Sequence, residues 1–235
     1  MNPPSADMDG PVESLKTQST FLIASSQMEA SGSADPRDTF VRQQLKRAAD
    51  LVSGAAALGA ARNAACLGIL SRSLLEQLIT VSWAIRSVES AELQIGAGPA
   101  EMAKALRINL KAGTAKIRDR HTGEDVTADY LANEQAKPSR KRRSVEEQAK
   151  EAGILDLYTV FYRLLSLETH GHNETPSEKS EKDKLCTVHL QGIGAISRAI
   201  GQACVWWLMH RQWPDNESLR DVLGLNVKAE AARFK

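Results

Sequence analysis

Proline positions divide this chain into long stretches that are free to form helices. Proline lacks a backbone N–H and breaks helix interiors, and the chain leaves proline-free stretches at 37–98, 100–137, 139–175 and 177–213. Within them composition favours helix over strand, because Ala and Leu total 57 whereas Val and Ile total 23, and strands prefer β-branched residues. The sequence therefore predicts an all-α fold, a helical bundle of roughly five to seven helices.

The ends of the chain differ in character from its middle. Residues 1–35 are rich in Ser, Gly, Pro and Asp without sustained periodicity, which predicts a disordered N-terminal tail. Asp35-Pro36 is a typical helix start, so a single helical domain is expected over 36–225, with a frayed tail at 226–235. Further along, the spacing of Ser144 and Glu147 matches a capping box.

Charge and cysteine content exclude several classes of protein. The net charge of +1 argues against a globally basic nucleic-acid coat and against a highly acidic disordered chain. Three separated cysteines without a Cys-x-x-Cys pair argue against a disulfide framework and favour a reducing compartment. The apolar stretches 51–70 and 190–209 each contain an Arg, so neither is typical of a membrane span. We expect a cytoplasmic protein without membrane contact.

The first candidate site is a charged pair in the most apolar predicted helix, over about 60–90. Arg72 and Glu76 are four residues apart, so they share a helix face and can pair. Leucines surround them in the sequence, and charges in such a setting need partners. A structural polar clamp is one interpretation, and a small-molecule or anion-binding pocket is the other.

The second candidate site is a polar stripe in the helix predicted over 154–169. Arg163, Ser166 and His170 follow helical spacing, and Tyr162 joins Ser166 and His170 at four-residue steps. His170 precedes Gly171, a natural C-cap, where the helix dipole favours a protonated imidazole. This stripe could stabilise and protonate a phosphate ester, or it could simply bond neighbouring helices.

These two segments resemble an uncharacterised all-helical bacterial family. Its members show an Arg-x-Leu-Leu-Glu helix, matched here at 72–76, and a later Tyr-x-x-Leu-Ser-x-x-x-His-Gly segment, matched at 162–171. The resemblance covers about residues 40–200 and implies the fold class rather than an activity.

The second segment is also similar, more weakly, to HEPN proteins, which are small helical bundles that often cut RNA. Their motif is Arg-x4–6-His, and six residues separate Arg163 from His170. The similarity implies a dimer in which two motifs face one RNA phosphate without a metal. The chain departs from the pattern at Leu164, where a polar residue is usual.

A basic segment at 137–143 holds five positive charges in seven residues, including Arg140, Arg142 and Arg143. It could guide RNA or an acidic partner. A zinc site can be drawn from four residues: His170, His172, Cys186 and His189. Structural zinc sites usually show paired cysteines, so we expect no metal and no cofactor.

Three functions remain open from the sequence. The favoured one is a non-catalytic interaction module that binds a protein partner or a second copy, in stress or phage defence. The alternatives are a metal-independent endoribonuclease using Arg163 and His170, and a small-molecule sensor near Arg72 and Glu76. In every case we expect Arg72 or Glu76 to lie within hydrogen-bonding reach of the Tyr162–His170 stripe.

Overall fold

The computed structural model of the chain describes residues 8–32, 34–136, 143–169 and 178–223. These residues form helices joined by short turns, with one isolated β-bridge, and they confirm the predicted all-α class. The helices are α1 (Asp9–Ser25), α2 (Pro36–Ala60), α3 (Ala64–Ala84), α4 (Val88–Lys111), α5 (Thr127–Ala136), α6 (Val145–Glu151), α7 (Leu155–Leu157), a π-helical turn (Tyr158–Tyr162), α8 (Arg163–Thr169), α9 (Lys179–Gln212) and α10 (Glu217–Val222).

The chain divides into two compact units rather than the single domain expected over 36–225. One unit consists of the described residues within 1–91 and 144–235, and the other of the described residues within 92–143. No Gly- or Pro-rich linker marks the boundary at Ala91, because the sequence on both sides of it is helical. The boundary at Ala91 was therefore not visible in the composition, whereas the boundary after Arg143 coincides with the end of the basic segment at 137–143.

In the first unit, α2, α3 and α9 pack against one another and enclose the core. Their inward residues recur at helical spacing and are mostly Leu, Ile, Val and Ala, as the periodicity predicts. Each fully buried Leu or Ile stabilises the fold by about 1.5–3 kcal/mol relative to exposure. Core residues with no more than 1% exposure include Leu45, Leu67, Leu74, Ile79, Leu190, Ile193 and Ile200.

Helix α1 lies where the sequence predicted a disordered tail. Leu15 and Leu22 are buried in its contact with α2 and α9, and the Ser19 hydroxyl donates to the carbonyl of Ala49 at 2.9 Å. The prediction is wrong for Asp9–Ser25 because a few apolar residues, spaced by about two turns, are enough to dock an otherwise polar helix. Residues 1–7 and the predicted frayed tail at 226–235 lie outside the described residues.

The predicted helix caps are confirmed. The Asp35 carboxylate accepts from the backbone N–H of Arg37 at 2.8 Å, and Pro36 occupies the first helical position of α2. At α6, the Ser144 hydroxyl and the Glu147 carboxylate accept reciprocally from each other's backbone N–H groups, at 3.2 Å and 2.8 Å. Both motifs satisfy N–H groups that a helix start would otherwise leave unpaired.

Two polar contacts, one of them buried, attach α6 to α3. The Trp83 indole N–H donates to the Glu151 carboxylate at 2.6 Å, and the Thr80 hydroxyl donates to the Gln148 side chain at 2.9 Å. Gly153 then reverses the chain with φ of 73°, a left-handed conformation that favours glycine. These contacts place the start of α7, and hence the π-helical turn, beside α3.

The second unit contains most of α4 and all of α5. Although proline breaks helix interiors, α4 continues through Pro99, which separates the proline-free stretches 37–98 and 100–137. One missing hydrogen bond, with a cost of about 3 kcal/mol in a helix interior, does not end this helix. Between α4 and α5 the chain makes a turn at 120–122. The Asp119 carboxylate accepts from two backbone N–H groups of this turn at 2.8 Å, which hold its pKa below the usual value.

Counting α7, the π-helical turn and α8 as one interrupted helix, the described residues form nine helices. This exceeds the predicted number, partly because of α1. By length and composition, one described helix, α3, could cross a membrane, and half of its most apolar window is buried inside the protein. The stretches 51–70 and 190–209 were considered as membrane spans from the sequence. Within the described residues, the helix that meets the length and composition criteria for a span is α3, and it coincides with neither stretch.

Candidate functional site

The second candidate segment is not the uninterrupted helix that its spacing predicted. Tyr158–Tyr162 form a π-helical turn between α7 and α8. A π-helical turn bonds residue i to residue i+5 and is frequent at functional sites. It rotates the residues that follow it relative to an unbroken α-helix. The rings of Tyr158 and Tyr162 stack within the turn, with centroids 5.0 Å apart and planes 21° from parallel.

Arg72 of α3 contacts this turn directly. Its Nη2 donates to the Tyr162 hydroxyl at 3.1 Å, and its guanidinium carbon lies 5.1 Å from the centroid of the Tyr162 ring. The expected contact between α3 and the Tyr162–His170 stripe is therefore present. The Arg72 Nε is buried and has no hydrogen-bond partner in the described part of the chain, which costs roughly 1–3 kcal/mol.

Glu76 does not join this contact. Within the residues that the structure describes, Glu76 makes no hydrogen bond or ion pair, and Arg72 binds Tyr162 instead of its neighbour on α3. An Arg placed N-terminal to a Glu is the weaker orientation for a helical pair, and the tyrosine offers Arg72 both an acceptor oxygen and an aromatic face. The anticipated pair is not formed, and a ligand pocket at this place stays a prediction.

Arg163 and Ser166 point to different partners. Arg163 is exposed, and its guanidinium carbon lies 5.7 Å from the centroid of the Tyr158 ring. The half-buried Ser166 donates its hydroxyl to the carbonyl of Tyr162, one turn earlier, at 2.8 Å. Ser166 thus bonds its own helix, a local bond common for Ser in helices, and bonds no neighbouring helix among the described residues.

Several predicted site residues lie outside the described residues: His170, His172, Arg140 and Arg142. One residue of the basic segment and two of the four possible zinc ligands lie within the described residues. Arg143 is exposed, whereas Cys186 and His189 are buried on α9. Burial raises the pKa of the Cys186 thiol. Among the residues searched, which are the described ones, no group of three or more metal-ligating side chains is found.

An apolar surface on the same segment was missed by the sequence analysis. On an unbroken α-helix, the spacing of Phe161 and Leu164 with Leu157 and Leu165 predicts that they face the core. In the structure they are 54% and 56% exposed, and Val160 is 50% exposed. The π-helical turn explains the error, because it changes which residues face inward. We call Val160, Phe161 and Leu164 the apolar row. No signal in the sequence marks the position of the turn.

These features define an all-α protein in which an Arg–Tyr contact joins a core helix to a π-helical turn. The chain belongs to a family of unknown function (DUF5677), whose match covers residues 41–183, more than half of the chain. The expected membership in an uncharacterised family is thereby confirmed, and the matched range includes both candidate segments. Searches of the curated proteins and of the solved structures find no match.

Proposed function

We propose that this chain is a non-catalytic interaction module and that its apolar row docks a second copy of the chain. The observation that carries the proposal is the exposure of three large apolar side chains within five residues, Val160, Phe161 and Leu164. Two of them lie in the π-helical turn and the third lies in the first turn of α8, so they are close together along the chain. Clustered exposed apolar side chains are typical of protein–protein contacts.

The charges that flank the apolar row favour a second copy as the partner. Asp156 and Arg163 are both exposed on this segment, and neither has an ion-pair partner within the described residues. A two-fold contact brings the same surface of both copies together, so a residue of one faces a different residue of the other. In such a contact, Arg163 of one copy would pair with Asp156 of the other.

Sedimentation velocity over a range of protein concentrations tests this proposal. We expect a concentration-dependent dimer in the wild type, and monomers for Phe161→Asp and Leu164→Asp, because a carboxylate in an apolar contact is desolvated without a partner. Met102→Asp, at a 75% exposed position in the other unit, is the matched control and should leave the dimer intact.

A charge exchange then tests the orientation of the two copies. Arg163→Glu alone should weaken the dimer through repulsion from Asp156, and adding Asp156→Lys should restore it. A wild-type chain that stays monomeric at all concentrations, or row variants that dimerise as well as wild type, would overturn the proposal.

The exposed guanidinium of Arg163 supports a second candidate, a metal-independent endoribonuclease. One face of the guanidinium contacts the Tyr158 ring, and its N–H groups can still donate hydrogen bonds to a phosphate. In this reading Arg163 neutralises the phosphate, His170 is the general acid or base, and the 137–143 segment guides RNA. Arg163→Ala and His170→Ala should each abolish RNA cleavage in the presence of a chelator without changing helical content or Tm. Absence of cleavage by the wild-type protein would end this candidate.

A further inference from the structure

A groove between α1 and α9, which we call the α1–α9 groove, has the size of a small-molecule site. Its volume is about 590 Å³, within the range of roughly 300–1,000 Å³ typical of ligand pockets. It shares no residue with the surface proposed for self-association.

The walls of the α1–α9 groove are largely apolar. Phe21 and Leu22 of α1 face Val205 and Trp206 of α9 across it. Gly201 contributes to the floor, where an added Cβ would lie 3.1 Å from Leu22 and 3.7 Å from the Phe21 ring. Because Gly201 has no side chain, α1 and α9 can approach each other closely here while the groove stays open. Such walls suit an alkyl chain or a ring.

Several polar residues also line the groove, and two of them, Gln18 and Arg198, direct their side chains toward each other. The position of a Cβ on Gly194 would lie 3.6 Å from Nη1 of Arg198 and 3.9 Å from Oε1 of Gln18, so the two groups converge. The Gln18 Nε2 donates to the carbonyl of Gly194 at 3.2 Å, and this bond fixes the amide orientation. The Gln18 Oε1 is left buried without a partner among the described residues.

The charge of the groove is one-sided. Among the described residues that line it, Arg198 is the one charged residue and none is acidic. Within the part of the chain that the structure describes, Arg198 has no ion-pair or hydrogen-bond partner. The groove thus offers a guanidinium for an anion and a buried oxygen that needs a donor.

We propose that the α1–α9 groove binds a small amphiphile with an apolar chain, a carboxylate, and an N–H or O–H group next to the carboxylate. The carboxylate pairs with the forked donors of Arg198, the neighbouring N–H or O–H donates to Gln18 Oε1, and the chain lies between Phe21 and Trp206. A single guanidinium matches one negative charge, which is why a carboxylate is preferred to a dianionic phosphate. An N-acyl amino acid has all three features.

Isothermal titration calorimetry with two probes tests the site. N-decanoylglycine carries the chain, the N–H and the carboxylate, whereas N-decanoylglycinamide lacks only the charge. The probes are used below their micelle concentrations with the full chain. We expect one site per chain and about tenfold tighter binding of the acid than of the amide, because a charge-assisted hydrogen bond to Arg198 is lost in the amide.

Variants test whether this difference in affinity between acid and amide depends on Arg198. Arg198→Gln should bring the affinity for the acid down to that for the amide and leave the affinity for the amide unchanged. Arg47→Gln, at an exposed arginine of α2 outside the groove, is the matched control and should change neither. Val205→Trp should fill the groove and remove binding of both probes, with circular dichroism showing that the fold is retained.

Three outcomes would overturn the proposal. The first is no saturable binding of either probe, as expected if the groove instead takes a partner helix or a second copy. The second is equal affinity of the wild type for acid and amide. The third is equal loss of affinity in Arg198→Gln and Arg47→Gln.

Discussion

The hydroxyl of Tyr162 accepts a 3.1 Å hydrogen bond from Nη2 of Arg72, a residue 90 positions earlier in the chain. The same guanidinium lies near the face of the tyrosine ring. Arg72 belongs to the core helix α3 and Tyr162 ends the π-helical turn, so the contact attaches the turn to the core. The apolar row spans the end of this turn and the first residues of α8. The contact therefore also fixes the position of the apolar row relative to α3.

Removing the Tyr162 hydroxyl should destabilise the fold measurably. Tyr162→Phe keeps the ring but leaves Nη2 of Arg72 without its acceptor, beside an Nε that already has no partner among the described residues. We expect a loss of about 1–2 kcal/mol in the free energy of unfolding, measured by urea denaturation. The matched control is Tyr158→Phe, because the Tyr158 hydroxyl makes no hydrogen bond within the described residues. Equal losses in both variants would contradict this role for the hydroxyl.

The sequence predicts this contact but not the surface beside it. Two properties predict the contact: helical spacing, and the need of a half-buried Arg72 for a partner. Both depend on residues within one or two helical turns, and they were sufficient to predict that α3 contacts Tyr162. The exposure of Phe161 and Leu164 depends on a π-helical turn, whose extra residue is favoured by tertiary packing rather than by local propensity. The docking of α1 likewise depends on distant partners in α2 and α9, which no local pattern reports.

Glu76 and Arg72 should respond differently to neutral substitution. Glu76→Gln should change the free energy of unfolding by no more than about 0.5 kcal/mol, since the described structure contains no ion pair for it to lose. Arg72→Met keeps much of the apolar stem but removes the donor to Tyr162, and we expect it to cost about 1–3 kcal/mol. Guanidinium chloride denaturation at fixed pH compares the two, and a large effect of Glu76→Gln would mean that the two side chains do interact.

The stability of the fold should fall in acid partly because of Asp35. Burial raises the pKa of this carboxyl, but hydrogen bonds from Arg37 and the charges of Arg37 and Arg211 outweigh that effect and hold the pKa below its usual value. The folded pKa is thus lower than the unfolded pKa of about 3.9. The stabilisation is fully present above the unfolded value and is lost as pH falls through the folded one.

Asp35→Asn isolates this contribution, because Asn also caps a helix but carries no charge. The wild type should be more stable than the variant near neutral pH, and the difference should shrink to nothing at the acid end. Urea denaturation across this pH range measures it. A difference that is independent of pH would show that the cap alone, and not the charge, matters at this position.

Leu22 tests whether α1 is part of the folded unit. Its side chain is fully buried, whereas the adjacent Ile23 is 43% exposed, so the two residues form a matched pair on one helix. Leu22→Ala should lower the free energy of unfolding by about 2–5 kcal/mol, the usual cost of a cavity left by a buried leucine. Ile23→Ala should have a much smaller effect, since most of what it removes faces solvent. Hydrogen exchange adds an independent readout: amides of α1 should be protected in wild type and exchange faster in Leu22→Ala. Were α1 a disordered tail, both substitutions would leave stability unchanged and its amides would exchange freely in every variant.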